Sequence, residues 1–228
     1  MKMIKLRYGN TNTYYVDGLL IDTDMPGTIT GFFRELKRNA IDMKDIRYVL
    51  ATHYHPDHMG LISELMSFGV KLLLIDRQAE SVHFSDSVFE KQKNLKYQPI
   101  REKDAVVISC EDSRQFLKEI GIDGEIIATD SHSPDGIALI TDDGICFAGD
   151  LEPLPFIDAY ENNTLLKKRL GGYSELSSQN RLFWACERPV FLTRSRYKDC
   201  QQTVHSNFAS QYTKKKSPIS RNLIGDFS

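Results

Sequence analysis

No stretch of the 228 residues approaches the run of about 18 apolar residues that a membrane span requires. The opening Met1-Lys-Met-Ile-Lys-Leu-Arg has no apolar h-region, so a secretory leader is not expected either. Cysteine is scarce. Cys110, Cys146, Cys186 and Cys200 stand 36, 40 and 14 residues apart with no C-x-x-C pair, which excludes a disulfide framework and points to the cytoplasm. Nor is there an excess of one charge: 29 Lys+Arg face 31 Asp+Glu, a net charge of −2 that gives no reason to expect nucleic acid or another polyanion as partner. No internal repeat or linker interrupts residues 1–166.

What is present is enough apolar material for a core, 41% of residues with 10% aromatic, in a chain the size of one large α/β domain or two small ones. The near-neutral total conceals two unlike pieces. Residues 1–166 hold 17 Lys+Arg and 27 Asp+Glu, a balance of −10, whereas residues 167–228 hold 12 and 4, a balance of +8. Nine of the 18 serines and the run Lys214-Lys215-Lys216 lie in the second piece. From Gly171 onward neither helical nor strand periodicity is sustained, the composition of a solvated basic tail.

The acidic piece reads as short strands separated by helices. Asp17-Gly18 between two β-prone runs predicts a hairpin over 13–21, and Asp142-Asp143-Gly144 predicts another over 137–148. Further strands are expected at 46–51, 71–75, 105–109 and 125–129. Ile29, Phe32, Phe33, Leu36 and Ala40 recur at helical spacing behind a Thr28 cap. Leu61, Ile62, Leu65, Met66 and Phe68 form a second apolar helix face ending at Gly69, and Asp112 caps a third helix through Ile120. Met59, Met66 and Phe68 are expected in the core. Mixed strands and helices with several hairpins favour an α/β sandwich over a purely parallel βαβ fold.

The chemistry is concentrated in Thr52-His53-Tyr54-His55-Pro56-Asp57-His58-Met59-Gly60. Three imidazoles and a carboxylate within six residues carry polar atoms that a core cannot leave unpartnered. Off the end of a strand, His53 and His55 project the same way and can meet at one ion, while Asp57 and His58 lie on the turn into the next helix and can reach a second. Imidazole with carboxylate suits zinc foremost, then iron or manganese. His83, in Glu80-Ser81-Val82-His83-Phe84, has no such company and reads as a surface or lid residue. Tyr54 and Pro56 shape the turn. Glu152-Pro153-Leu154-Pro155-Phe156 is a candidate cleft lining.

H-x-H-x-D-H after a strand resembles the metallo-β-lactamase superfamily. Asn12 to Val16 followed by Leu20-Ile21-Asp22-Thr23 is similar to that family's opening hairpin, with Asp24 where glycine is usual. Ser131-His132-Ser133-Pro134-Asp135 resembles its second histidine motif, G-H-[ST]-P-G, with both glycines replaced. Phe147-Ala148-Gly149-Asp150 resembles the motif that delivers a bridging aspartate, 18 residues after His132. The resemblance implies an αββα four-layer sandwich over residues 1–168, with the last strand–helix unit missing. It further implies two zinc ions, the first held by His53, His55 and His132, the second by Asp57 and His58, with Asp150 between them. Asp57 would also orient the attacking water without acting as a separate general base.

The family supplies a further late histidine to the second ion, and the chain's only histidine after Asp150 is His205, without a preceding strand or glycine. Reverse translation offers a reason. Lys167-Lys168-Arg169 can be encoded AAA AAA AGA, which opens on a run of adenines, and loss of one adenine can turn Trp184-Ala185-Cys186-Glu187-Arg188 into Gly-His-Ala-Asn, the glycine being forced by the single tryptophan codon and the histidine depending on the alanine codon. Residues 169–228 are therefore expected to be a basic, serine-rich tail read out of frame. Sequencing the gene across codons 165–190 checks this; if no single-base change restores a Gly-His reading, the tail is genuine.

The implied function is a zinc-dependent hydrolase in which a metal-bound hydroxide cleaves an ester, thioester, lactone, β-lactam or related bond of a small-molecule substrate, with no nucleic acid or membrane partner. Two readings stand beside it: an iron-dependent oxidoreductase on the same fold, and a catalytically silent remnant acting as a binding module.

Overall fold

The structure, a computed structural model, describes residues 1–91, 97–129 and 132–150 together with the backbone of strand 181–183. The expectations for Ser131, for 152–156, for His205 and for the remainder of the tail lie outside the described residues.

Two sheets carry the fold. The first has six strands in the order β1 (Met3–Arg7), β2 (Asn12–Val16), β3 (Leu19–Ile21), β4 (Tyr48–Leu50), β5 (Lys71–Ile75) and β6 (Val106–Ile108). β1, β2 and β3 pair antiparallel, and β3 through β6 pair parallel. The second has the order β10 (Arg181–Phe183), β9 (Ile145–Phe147), β8 (Ile137–Thr141) and β7 (Gly124–Ala128), antiparallel except for the β10–β9 pair. β10 falls beyond residue 168, where no strand is expected; three residues are too few to show a period.

The alternation of side chains along a strand explains the layers. Leu20, Val49, Leu72 and Leu74 point into one core, where helices α1 (Ile29–Arg38) and α3 (Ile62–Ser67) bring Phe32, Leu36, Ile62 and Leu65. Their neighbours Leu19, Ile21, Leu50, Leu73 and Ile75 point to the opposite face and meet Ile126, Ile137, Leu139, Ile145 and Phe147 of the second sheet. Because both faces of β3, β4 and β5 are covered, these strands read as unbroken apolar runs. Helix, sheet and sheet thus form successive layers of the αββα sandwich.

The first hairpin turns at Asp17 and Gly18, both at positive φ (44° and 94°), the geometry that a tight antiparallel turn requires. Two expected caps act differently. Thr28 stands at the N-cap of α1, but its hydroxyl donates to the Met25 carbonyl (2.8 Å). Asp112 stands at the N-cap of α4 (Ser113–Glu119), but its carboxylate accepts from the Ser109 hydroxyl (2.8 Å). Met59 and Met66 are buried as expected, whereas Phe68 is 55% exposed. It follows the last turn of α3 and meets Phe33 edge-on at 5.4 Å on the outer surface. Among the described residues no helix is long and apolar enough to cross a membrane.

Candidate metal centre

The polar residues gather where the strands of both sheets end. Asp22 to Asp24 follow β3, Thr52 to His58 follow β4, His132 to Asp135 lie between β7 and β8, and Asp150 follows β9. The Ile137 N–H donates to the Thr52 carbonyl (2.9 Å), so the two sheets are joined at this rim. Thr52 is the hub on the first sheet. Its N–H and hydroxyl both donate to the Asp22 carboxylate (2.7 and 2.9 Å), and the hydroxyl lies 3.2 Å from His53 Nδ1. Gly149, just before Asp150, has φ of 57°, and a Cβ there would collide with the Thr52 hydroxyl. Only glycine lets that turn come close enough to present Asp150.

Four histidines converge. His53 Nε2 lies 3.0 Å from His55 Nδ1, and His132 Nε2 lies 3.2 Å from the same atom. These separations match the edge of a tetrahedron with zinc–nitrogen bonds of about 2.0–2.1 Å. Beside this trio, His58 Nε2 faces Asp57 at 3.7 Å and Asp150 at 3.6 Å, beyond hydrogen-bond distance and suited to ligands around an ion. Asp150 also lies 3.8 Å from His132 Nε2. Two ligand groups result: His53, His55 and His132, and His53, His58 and Asp150. The donor chemistry and spacing fit metal ions. His53 belongs to both groups, and Asp57 flanks the second, with Thr11 donating its hydroxyl to the Asp57 carboxylate (3.3 Å). A cleft opens on His53, His132 and Asp150, walled by Thr52, Thr129 and Ser133.

Electrostatics favour the neutral, metal-binding form at His53 and His55. Burial, reinforced by the neighbouring imidazoles, holds His53 well below the ordinary histidine range and brings His55 to about 4, so both present the neutral lone pair that a metal needs. Burial works against charge on His58 too, but Asp22, Asp150 and Asp57 outweigh it and raise its pKa well above the usual value.

Asp22 also sits at this centre, and no histidine motif marks it. It lies 3.1 Å from His58 Nδ1, both groups are buried, and it holds the ring so that Nε2 faces Asp57 and Asp150. A carboxylate closing the apolar run Leu19-Leu20-Ile21, at a φ of 57° that only a few non-glycine residues adopt, is the signal it leaves. Asp22→Ala should weaken zinc binding about 10–100-fold, measured by competition with a chromogenic chelator.

Other candidates are accounted for differently. His83 is half-exposed and pairs with Asp86 at 2.8 Å, a surface contact outside both ligand groups. Pro56 opens the short helix α2 (Pro56–Met59), and the Tyr54 ring is buried under the helical layer. Burial pushes the Cys146 thiol up to about 12, which removes it as a nucleophile.

The family model for the metallo-beta-lactamase superfamily matches residues 6–182. No curated protein matches the sequence. Among solved structures, a metallo-beta-lactamase family protein from Thermus thermophilus aligns over 95% of this chain and 83% of its own, with a TM-score of 0.60 and 15% identity. The metallo-beta-lactamase MIM-1 from Novosphingobium pentaromativorans covers 92% and 90%, with a TM-score of 0.55 and 16% identity. The Cronobacter sakazakii metallo-beta-lactamase with a HARLDQ motif covers 81% and 77%, with a TM-score of 0.55 and 18% identity.

Proposed function

Because the chain belongs to the metallo-beta-lactamase superfamily, we propose that it is a zinc-dependent hydrolase of small molecules, cleaving an ester, thioester, lactone, β-lactam or related bond. The observation that carries this reading is the pair of ligand groups sharing His53, with Asp150 in the second and 3.8 Å from the first. Bound zinc would supply a water acidified to a pKa of about 7 and a Lewis acid for the substrate oxygen. The chain's own residues do the placing. Asp22 fixes the His58 ring, Thr52 steadies His53, and Asp57 orients the attacking water while Thr11 holds its carboxylate. No serine, cysteine or lysine nucleophile is needed.

The acidic balance of residues 1–166 favours a small substrate over a nucleic acid, whose phosphates select Lys and Arg. We place the protein in the cytoplasm, because four scattered cysteines with no C-x-x-C pair do not read as the disulfide framework of a secreted protein. The test is a panel of ester, thioester, lactone and β-lactam substrates with zinc added. Turnover abolished by a chelator and restored by zinc is the expected result. Zinc bound without turnover on any member would make the chain a binding module, and oxygen consumption with iron bound would make it an oxidoreductase.

A further inference from the structure

Both positions at which an aspartate replaces a usual glycine of the resembling motifs, Asp24 and Asp135, are buried, 1% and 4% exposed, and neither belongs to a ligand group. Asp135 spends its carboxylate on the loop that carries the ligands, and Asp24 reaches that loop through Thr11. Asp135 Oδ2 accepts from the Tyr54 N–H at 2.7 Å, and Oδ1 accepts from the Ser133 hydroxyl. The Tyr54 carbonyl in turn accepts from the Ser85 hydroxyl at 2.7 Å. The one residue between His53 and His55 is thereby held at both its N–H and its C=O by side chains from distant segments.

Asp24 works on the other flank. Its Oδ2 accepts from the Thr11 N–H (3.0 Å) and its Oδ1 from the Met25 N–H (2.6 Å). Thr11 then reaches Asp57 through its hydroxyl. The fit is close: a Cβ at Gly9 would collide with the Asp24 carboxylate, and one at Gly60, at the end of α2, with the Asp24 carbonyl. Glycine at position 9 is what admits the aspartate side chain beside the β1–β2 turn, and glycine at position 60 lets the end of α2 approach the backbone of residues 24–26.

We propose that Asp135 and Asp24 are positioning residues for the metal centre, Asp135 setting the His53–His55 pair and Asp24 setting Asp57 through Thr11. The inference rests on the metal-binding reading above. The two carboxylates face different partners, and this gives them opposite tolerance of asparagine. At 135 an amide serves: its oxygen accepts from the Tyr54 N–H while its NH2 donates to the Ser133 hydroxyl, which accepts as readily as it donates. At 24 both partners are backbone N–H groups, so an amide sets donor against donor at one of them and leaves a buried group unsatisfied.

The experiment is titration of the full metal-free chain with Co2+, following its visible ligand-field absorption, with the thermal unfolding of each metal-free variant as control. Loss of an outer partner weakens metal affinity about 10–100-fold. Asp135→Ala should show that loss at the tighter Co2+ equivalent, and Asp135→Asn should restore it to within about threefold of the parent. Asp24→Asn should lose about 10–100-fold at the weaker equivalent. Thr11→Val, which keeps its N–H on Asp24 but removes the hydroxyl from Asp57, should reproduce the Asp24→Asn loss, and it carries the test if Asp24→Asn does not fold. Equal losses for Asn and Ala at 135, or parental Co2+ binding in Thr11→Val, overturn the inference while leaving the metal reading intact. A parent chain that binds no Co2+ overturns both.

Discussion

His53→Ala lowers kcat/KM of the zinc-loaded protein about 10³–10⁴-fold. His53 lies where both ligand groups meet, so its loss takes a donor from the first and the ring packed at 4.0 Å against His58 of the second. Its Nε2 lies 3.0 Å from His55 Nδ1, and its other nitrogen is steadied by Thr52. Metal assistance to hydrolysis is worth several kcal/mol. A loss of about 4–5.5 kcal/mol corresponds, at 1.36 kcal/mol per decade, to the stated factor. The measurement is steady-state hydrolysis of the best panel substrate, with bound zinc counted on the same samples. His83→Ala is the control: its imidazole is half-exposed on Asp86, and kcat/KM should stay within about twofold of the parent. A His53→Ala protein that keeps more than a tenth of parental activity would show that this metal centre does not carry the reaction.

The histidine motif could be read from sequence because its residues are adjacent and because His, His, Asp and His in six positions have no apolar alternative explanation. The hairpin over Asp17-Gly18 and the strand 71–75 were legible for local reasons too, a turn dipeptide in one case and an apolar run covered on both faces in the other. β1 was not, since Met3–Arg7 alternates Lys and Arg with apolar residues and buries only Leu6. Asp22, Asp24 and Asp135 show the stronger limit. Asp135 meets Tyr54 across 81 residues and Asp22 meets Thr52 across 30, and a hydrogen bond from a carboxylate to a distant backbone N–H imposes no pattern on the intervening sequence. The aspartates at 24 and 135 stood out only as departures from a motif; the structure turns those departures into contacts. Phe68 errs in the opposite sense. It keeps the helical period of α3, but the chain turns at Gly69 (φ 92°) immediately afterwards, leaving the ring on the surface beside Phe33.

Removing the metal should lower the melting temperature by about 8–16 °C. An ion that binds the native centre and not the unfolded chain stabilises the fold by about 4 kcal/mol when free metal is a thousandfold above Kd. For a domain of this size each kcal/mol moves the transition by about 2–4 °C. The structure explains why the unfolded chain cannot compete. Within the centre, His132 lies 77 residues from His55 and is brought to 3.2 Å of it only by the β7–β8 connection, while Asp150 reaches His58 only because Gly149 turns the end of β9 against Thr52. The unfolded chain keeps only the local His53-x-His55-x-Asp57-His58 set, so its affinity is lower and the linkage favours the fold. Differential scanning calorimetry with zinc, with excess chelator, and with zinc restored gives the shift and its reversibility. His53→Ala supplies the internal comparison, because a protein that has lost one of the three histidines of the first group should show a much smaller zinc-dependent shift. An unchanged transition on chelation, in a chain shown to have held zinc beforehand, would mean that the ions sit away from the junction of the two sheets.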